Sequence, residues 1–273
     1  MNDGCFVSWP LRATALDDIR ETVIAELDGA EGSGIAELLP VDGVETVSLF
    51  VHNPDDGRPT LVWYVEHDRD YEWSDPAAVV REHSPLFPAL AEFLTDGEPN
   101  VVAAASPDTT LLVHANLPGR PRAYADRSEG LPIVLSANDS GGEVPDVVPL
   151  RLAVRSGLGS LVARAFAGLF ERTPAWLEAK FEAASLDVME AEGMYTETLL
   201  LERTDAGYDI WWYMESGDME QVGEAYYETD NRVARVSEHV LGWVLERPER
   251  VLAHPVEASE FELLAHAVDP DRE

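Results

Sequence analysis

The hydrophobic pattern changes period several times along the chain, and its most informative stretch is residues 208–218, YDIWWYMESGD. Extended backbone sends neighbouring side chains to opposite faces. A strand here puts Ile210, Trp212 and Met214 on one face and Trp211, Tyr213 and Glu215 on the other. An antiparallel strand with one wet face alternates apolar and polar residues; this one is apolar on both faces, which predicts a strand covered from both sides. An earlier segment, TLVWYVEHD (60–68), divides in the same way into Leu61, Trp63, Val65 and Val62, Tyr64, Glu66.

The likeness extends outward. Gly43, Asp55 and Gly57 each recur 150 positions later as Gly193, Asp205 and Gly207. After a one-residue gap, Trp63-Tyr64 matches Trp212-Tyr213, and Glu66 matches Glu215. Each segment reads as two strands joined at an Asp/Gly turn, a β-hairpin. Residues 100–118, NVVAAASPDTTLLVHANLP, similarly echo 250–270, RVLAHPVEASEFELLAHAVDP, which sets His114 against His266 and Pro118 against Pro270. The tripeptide PLR occurs at Pro10–Arg12 and again at Pro149–Arg151. Together these matches predict an internal duplication. The expected division is a first repeat at 1–135, a linker at 136–149 (SANDSGGEVPDVVP) and a second repeat at 150–273.

Helical periodicity fills the gaps between strands. Leu16, Ile19, Val23 and Leu27 form one stripe, with Thr14 and Asp17 as a capping-box start. Leu158, Leu161, Val162, Ala165, Phe166 and Leu169 form another, and Thr173-Pro174 opens a third that carries Trp176, Leu177 and Phe181. Helices after the hairpins start near Ser74-Asp75 and Asp218. The first is interrupted at Pro85 and Pro88; the second carries Val233, Val236, Val240 and Trp243/Val244. Each half thus reads strand, helix, hairpin, helix, strand, the βαββαβ order of a ferredoxin-like α+β fold. The doubly apolar strands are explained if the two tandem repeats pack sheet to sheet within one chain, so that no second chain is needed to cover them.

Charge narrows the function classes. Asp and Glu total 52 against 19 Lys and Arg, a formal net charge of −33, and Lys180 is the only lysine. A surface of this kind repels itself at ordinary ionic strength, and molar salt cuts the screening length to roughly 3 Å. The composition is that of a cytoplasmic protein from a salt-in halophile. It has no basic stripe to neutralise phosphates, so nucleic acid is not an expected partner. Neither is a membrane, since no apolar run of about 18 residues occurs. Cys5 stands alone, which excludes an internal disulfide and a cysteine-rich metal site.

The repeat order resembles the dimeric α/β-barrel superfamily, which includes monooxygenases of antibiotic biosynthesis, haem-degrading monooxygenases, and haem proteins of the chlorite-dismutase type. The second half resembles a family of short haloarchaeal proteins without an assigned activity, through EGMYTETLLLERTDAGYDIWWYMES, SEHVLGWVL and ELLAHAVDPDR. The superfamily implies an oxygenase- or isomerase-like enzyme with Tyr213, Glu215 and His239 as catalytic candidates, and haem as a cofactor held by His83 or His239. Against it, no Asn–Trp–His set of the haem-degrading enzymes can be matched, and no HExxH, GxGxxG, Walker A or GxSxG motif occurs. No metal site and no cofactor are therefore expected from the residues themselves. The preferred reading is a small-molecule-binding or regulatory protein; an adaptor for other proteins is a third. Each Tyr–Glu pair, Tyr64/Glu66 and Tyr213/Glu215, shares a strand face, where a buried carboxyl would hold its proton and could exchange it with a ligand. Tyr64, Glu66, His83, His114, Trp211 and His266 complete the ligand-binding candidates, and each histidine can equally serve as a structural hydrogen-bonding group.

Overall fold

A computed structural model describes residues 2–28, 34–55, 57–68, 73–125, 129–135, 144–157, 159–161, 165, 186–222, 239–252 and 260–272. The chain is mixed α+β with two sheets, one in each of two compact units. The first unit comprises residues 1–105, 121–144 and 259–273; the second comprises 106–120 and 145–258.

The first sheet is built from β1 (Asn2–Pro10), β2 (Val44–His52), β3 (Thr60–Asp68), β4 (Asn100–Val102), β6 (Ile133–Leu135) and β10 (Phe261–Val268), in the order β4-β1-β3-β2-β10-β6. The second is built from β5 (Thr109–Asn116), β7 (Asp146–Ala153), β8 (Met194–Thr204) and β9 (Gly207–Ser216), in the order β5-β8-β9-β7. Both expected hairpins form, β2–β3 and β8–β9.

The contiguous division at 135 and 150 is corrected by the pairing. β5, from the first half of the chain, lies along β8 in the second unit, and β10, from the second half, lies along β2 in the first. Each covers the edge that its host hairpin would otherwise leave open, with a full row of unpaired N–H and C=O groups. The pattern of residues 100–118 and 250–270 announces such a strand, but it cannot say which of two similar edges the strand fills. Residues 136–143 lie outside the described residues, and β7 begins inside the expected linker, at Asp146. The PLR match also dissolves: Pro10 pairs with Thr60 at a strand end, whereas Pro149 pairs with Tyr213 in mid-strand.

The two sheets nevertheless agree in register. Thr46 faces Glu66 and Thr196 faces Glu215, each just after a bulge that follows a glycine of positive φ, Gly43 or Gly193. A side chain at either glycine would be strained by a φ near +70°, which only glycine adopts readily. β5 and β10 carry matching bulges too, at Leu111/Val113 and Leu263/Ala265.

One face of the first sheet packs under helices. Ile19, Val23 and Leu27 of α1 (Leu16–Leu27), Ala77 and Val80 of α2 (Pro76–His83), and Phe87 and Leu90 of α3 (Phe87–Leu90) meet Val7, Val47, Leu49, Trp63 and Val65. Asp75 caps α2 by accepting the Ala78 N–H at 2.9 Å, with Pro76 in the first turn. The capping box expected at Thr14 and Asp17 does not form; a 3₁₀ turn over Ala13–Ala15 leads into α1 instead. In the second unit, Met189, Val222, Leu241, Val244 and Leu245 meet Leu150, Leu152, Met194, Ile210, Trp212 and Met214. Trp243 is 70% exposed, contrary to its expected place beside Val244. The buried face of helical residues 239–244 runs through Leu241 and Val244, with Val240 packed at its margin, so Trp243, 100° from Val244, falls outside it. Leu161 is likewise exposed; most of its expected stripe, the helix opened by Thr173-Pro174, and Val233 and Val236 lie outside the described residues.

On the faces opposite these helices, Val62, Tyr64 and Glu66, and Trp211, Tyr213 and Glu215, are all buried. Both central strands are dry on both sides, as their doubly apolar pattern predicts.

Candidate functional site

Burying Glu66 and Glu215 inside a sheet requires partners, because an unpaired polar group away from water is costly. In the first unit Thr46 Oγ1 donates to Glu66 Oε2 at 2.7 Å. One pair along, Ser48 faces Tyr64 on β3 and His266 on β10, with Ser48 Oγ 2.9 Å from His266 Nδ1. Phe6 tilts against Tyr64 at 5.2 Å. Arg272, just past β10, folds back over this row: its Nε donates to Pro121 O at 2.7 Å, Nη1 to Thr46 Oγ1 at 3.0 Å and Nη2 to the Tyr124 hydroxyl at 3.1 Å.

The second unit repeats the arrangement. Thr198 faces Tyr213 and His114, whose Nδ1 lies 2.9 Å from Thr198 Oγ1. The other ring nitrogen of His114 lies 3.5 Å from Asn116 Nδ2. Arg120 Nη1 donates to Thr196 Oγ1 at 2.7 Å, and the Tyr213 hydroxyl donates to Glu215 Oε2 at 3.3 Å. Trp211 donates its indole N–H to Glu202 at 2.7 Å and lies under the Arg151 guanidinium, which pairs with Asp209.

The structure thus gathers Tyr64, Glu66 and His266 on one strand face and Tyr213, Glu215 and His114 on another, while Trp211 bonds separately to Glu202 under Arg151. The sequence reading missed the hydroxyl partners (Thr46 and Ser48; Thr196 and Thr198) and the two arginines. The signal was present: HANLPGR and HAVDPDR place Arg120 and Arg272 at the same distance after His114 and His266. Most of these side chains are buried and bonded to one another, with His114 half-buried. Such networks fix strand register and hold a returning arginine. His83 and His239 are placed differently from expectation, both being exposed. His83 ends α2, where its last turn points to water. Neither histidine lies on a buried face that could enclose a haem plane, so the candidates do not fit that group. Among the described residues no group of three or more His, Cys, Asp or Glu could hold a metal ion, and no helix is long and apolar enough to cross a membrane. Cys5 is inert as a nucleophile, its thiol pushed up to about 12 by burial and secondarily by Asp3.

A different set of groups meets on the helix side of the second sheet. Glu197 faces Met214 across β8–β9, which places it diagonal to Trp212 on the same face. Glu192 ends helical residues 186–192, directly before β8, and is only 5% exposed. Burial, followed by repulsion from Glu197, raises the Glu192 carboxyl to about 8. Glu197, half-buried on β8, is raised to about 7 by desolvation, opposed by the approach of the Trp212 indole N–H. Repulsion is mutual, so the two titrate as a coupled pair. Among the described residues Glu192 Oε1 has no hydrogen-bond partner, and the Trp212 indole N–H approaches Glu197 without reaching hydrogen-bond geometry. Around them stand Met189, Met194 and Met214, with Met219 at the margin; Met1 is the only methionine elsewhere in the chain. At the corresponding place in the first sheet, Val47 stands where the second has Glu197, and no methionine lines that core. Trp63 there also leaves its indole N–H unpaired, so an orphaned indole alone marks nothing. The two carboxyls and the methionines are what the second unit adds.

No family model matches the chain, and no curated protein matches it. Among solved structures, it is similar to a protein from Fusobacterium nucleatum named as a monooxygenase without demonstrated activity, at 8% identity and a TM-score of 0.49, covering 98% of this chain and 94% of that one. It is also similar to an anthrone oxidase-like protein (12% identity, TM-score 0.35, 89% and 84% covered). A variant chlorite dismutase from Candidatus Nitrospira defluvii follows at 12% identity and a TM-score of 0.30, with 99% and 92% covered. At these scores neither fold nor activity follows from the match, and the two sheets stand on their own strand pairing.

Proposed function

We propose that this chain is a small-molecule-binding protein whose ligand site lies on the helix side of the second sheet, between Glu192, Glu197, Trp212 and the methionines. The observation that carries the reading is the unpartnered Oε1 of Glu192. A buried acceptor without a donor costs about 1–3 kcal/mol, which a ligand supplying that donor would recover. Methionine's unbranched, polarizable side chain adapts to differently shaped apolar partners, and a cluster of it beside buried polar groups suits a binding surface better than a fixed core. The first sheet, sealed by Val47 and other aliphatics, serves on this reading as scaffold.

The agreement of the two registers supports a tandem pair of ferredoxin-like repeats that have exchanged their terminal strands. The acidic, nearly lysine-free composition supports adaptation to a cytoplasm of molar salt.

The test is fluorescence titration with the neutral apolar dye N-phenyl-1-naphthylamine in molar NaCl. The expected result is saturable binding of one dye per chain, with energy transfer from tryptophan that falls in Trp212→Phe. Binding should be lost in Leu199→Trp, which fills the face beside Trp212. Dye binding that is absent, or that is unchanged in both variants with circular dichroism intact, refutes the site.

A further inference from the structure

We infer that the ligand of this site is a lipophilic amine, taken up as its ammonium ion beside Glu192 and Glu197; the inference rests on the binding site proposed above and specifies its chemistry. The helix-side face offers two carboxyls, one of them with an oxygen that has no hydrogen-bond donor among the described residues. An apolar ligand would leave that acceptor orphaned. An anionic one could be held only while both carboxyls keep their protons, and would be expelled as they ionise. A neutral hydroxyl would supply one donor and no charge. A primary ammonium brings three donors and a positive charge, and charge-assisted hydrogen bonds are roughly twice as strong as neutral ones. Its hydrocarbon part would lie against Met189, Met194, Met214 and the Trp212 ring, the apolar wall of the same face. A cation over an indole is a further favourable contact.

The contrast between the two sheets favours a cation over a generic apolar guest. Where the first sheet has Val47, fully buried, the second has Glu197 in the same register, opposite Met214 instead of Val65. A carboxyl in that position works against folding, as its raised pKa shows, and so does Glu192 beside it. Two groups that each weaken the folded state, brought together on one face and surrounded by the adaptable side chains of the core, are the usual signature of a site that pays for function with stability.

Binding also implies a proton balance. Near pH 6.5 both carboxyls largely hold their protons when the face is empty, given values of about 8 and 7. An ammonium settling beside them favours the carboxylate, so the carboxyl O–H breaks, its proton passes to solvent, and an ammonium–carboxylate pair remains. A neutral ligand releases none.

The experiment compares three compounds with one skeleton, 2-phenylethylammonium, 2-phenylethanol and phenylacetate, by calorimetry on the full chain in molar NaCl. Titrations at pH 6.5 in two buffers of different ionisation enthalpy read the protons released. The expected result is an amine that binds about tenfold or more tighter than the alcohol, roughly one proton released per amine, and no proton released with the alcohol or the carboxylate. In Glu192→Gln/Glu197→Gln the preference for the amine should fall to within about threefold while the alcohol is unaffected. Asp18→Asn/Glu26→Gln removes the same formal charge from exposed positions of α1, and the preference should survive it. Glu192→Gln alone, which lacks one ionisable group, provides the same comparison if the double variant misfolds. Equal binding of amine and alcohol, or an amine preference that Asp18→Asn/Glu26→Gln abolishes as completely, overturns the cation inference and leaves the binding site standing. Binding of the amine without proton release overturns it as well. Failure of the amine to bind where the neutral dye does overturns the cation inference alone; failure of the dye overturns the site itself.

Discussion

Replacing Glu192 by Gln should stabilise the protein, by an amount that grows with pH. The Glu192 carboxyl rises from 4.5 to about 8 on folding. Below pH 4.5 both the folded and the unfolded chain hold this proton, and Glu192 contributes nothing to the pH dependence. Between 4.5 and 8 the unfolded chain loses the proton while the folded chain keeps it. The unfolded state then binds fewer protons, and stability falls as pH rises. Each pH unit in that window is worth about 1.4 kcal/mol, so the penalty is about 3 kcal/mol at pH 7 and approaches about 5 kcal/mol above pH 8. These are upper values, since water entering the helix side on ionisation would soften them. Glutamine has nearly the shape of glutamate and cannot ionise.

The measurement is urea unfolding of both proteins from pH 5 to pH 8.5 at one molar concentration of NaCl. With 52 acidic residues in the chain, absolute stability will vary with pH for many reasons. The difference between variant and parent isolates one position. A buried amide that lacks a partner adds an offset, but that offset does not depend on pH. The expected difference climbs by about 1 kcal/mol or more per unit from pH 5 to pH 8 and then flattens. A flat difference, or one that grows toward low pH, would refute the reading of Glu192 as a buried acid that holds its proton.

Arg272→Met should cost about 2–4 kcal/mol in the same assay, because it removes three hydrogen bonds that tie the segment after β10 to Thr46, Pro121 and Tyr124. Arg272→Lys should not restore them, since a point ammonium cannot reach all three acceptors at once; full rescue by lysine would deny the bridging role. Tyr213→Phe should cost about 1 kcal/mol through the loss of the hydroxyl that donates to Glu215, and no change in unfolding midpoint would show that this bond adds no net stability. With a net charge of −33, unfolding temperature should climb steadily as NaCl goes from tenths molar to molar, and a protein equally stable in dilute buffer would contradict the salt-adapted reading.

Much of the fold was legible because it depends on period. Alternation in TLVWYVEHD and DIWWYMES gave both hairpins and the burial of both strand faces, and the bulged starts at Gly43 and Gly193 follow from glycines that the repeat places 150 apart. The exchange of β5 and β10 was not legible. A strand's pattern records how many faces it buries, not which edge it joins, and β2 and β8 offer nearly the same edge. The site was legible by halves in the same sense. Tyr64/Glu66 and Tyr213/Glu215 could be paired by their two-residue spacing on one strand, and His114 and His266 by repeat alignment. Thr46, Ser48 and Arg272 come from three different segments, so only the fold brings them to those residues. His83 and His239 were misplaced for a simpler reason: beside an apolar stripe, a helix position one residue off the buried arc already faces water.

The comparison of the two sheets also bears on where function should be sought. Features that both share, the Tyr–Glu pairs, the strand histidines and the returning arginines, are the ones a duplicated scaffold must keep to hold its register. Their recurrence in both copies explains why they looked like a site from sequence, and equally why they need not be one. A ligand site used once per chain requires a difference between copies. That difference falls on the helix side of the second sheet, where the core turns from Val47 and its aliphatic neighbours to Glu197, Glu192 and three buried methionines. The residues that break the repeat, and weaken the fold in doing so, are therefore better functional candidates than the residues that define it.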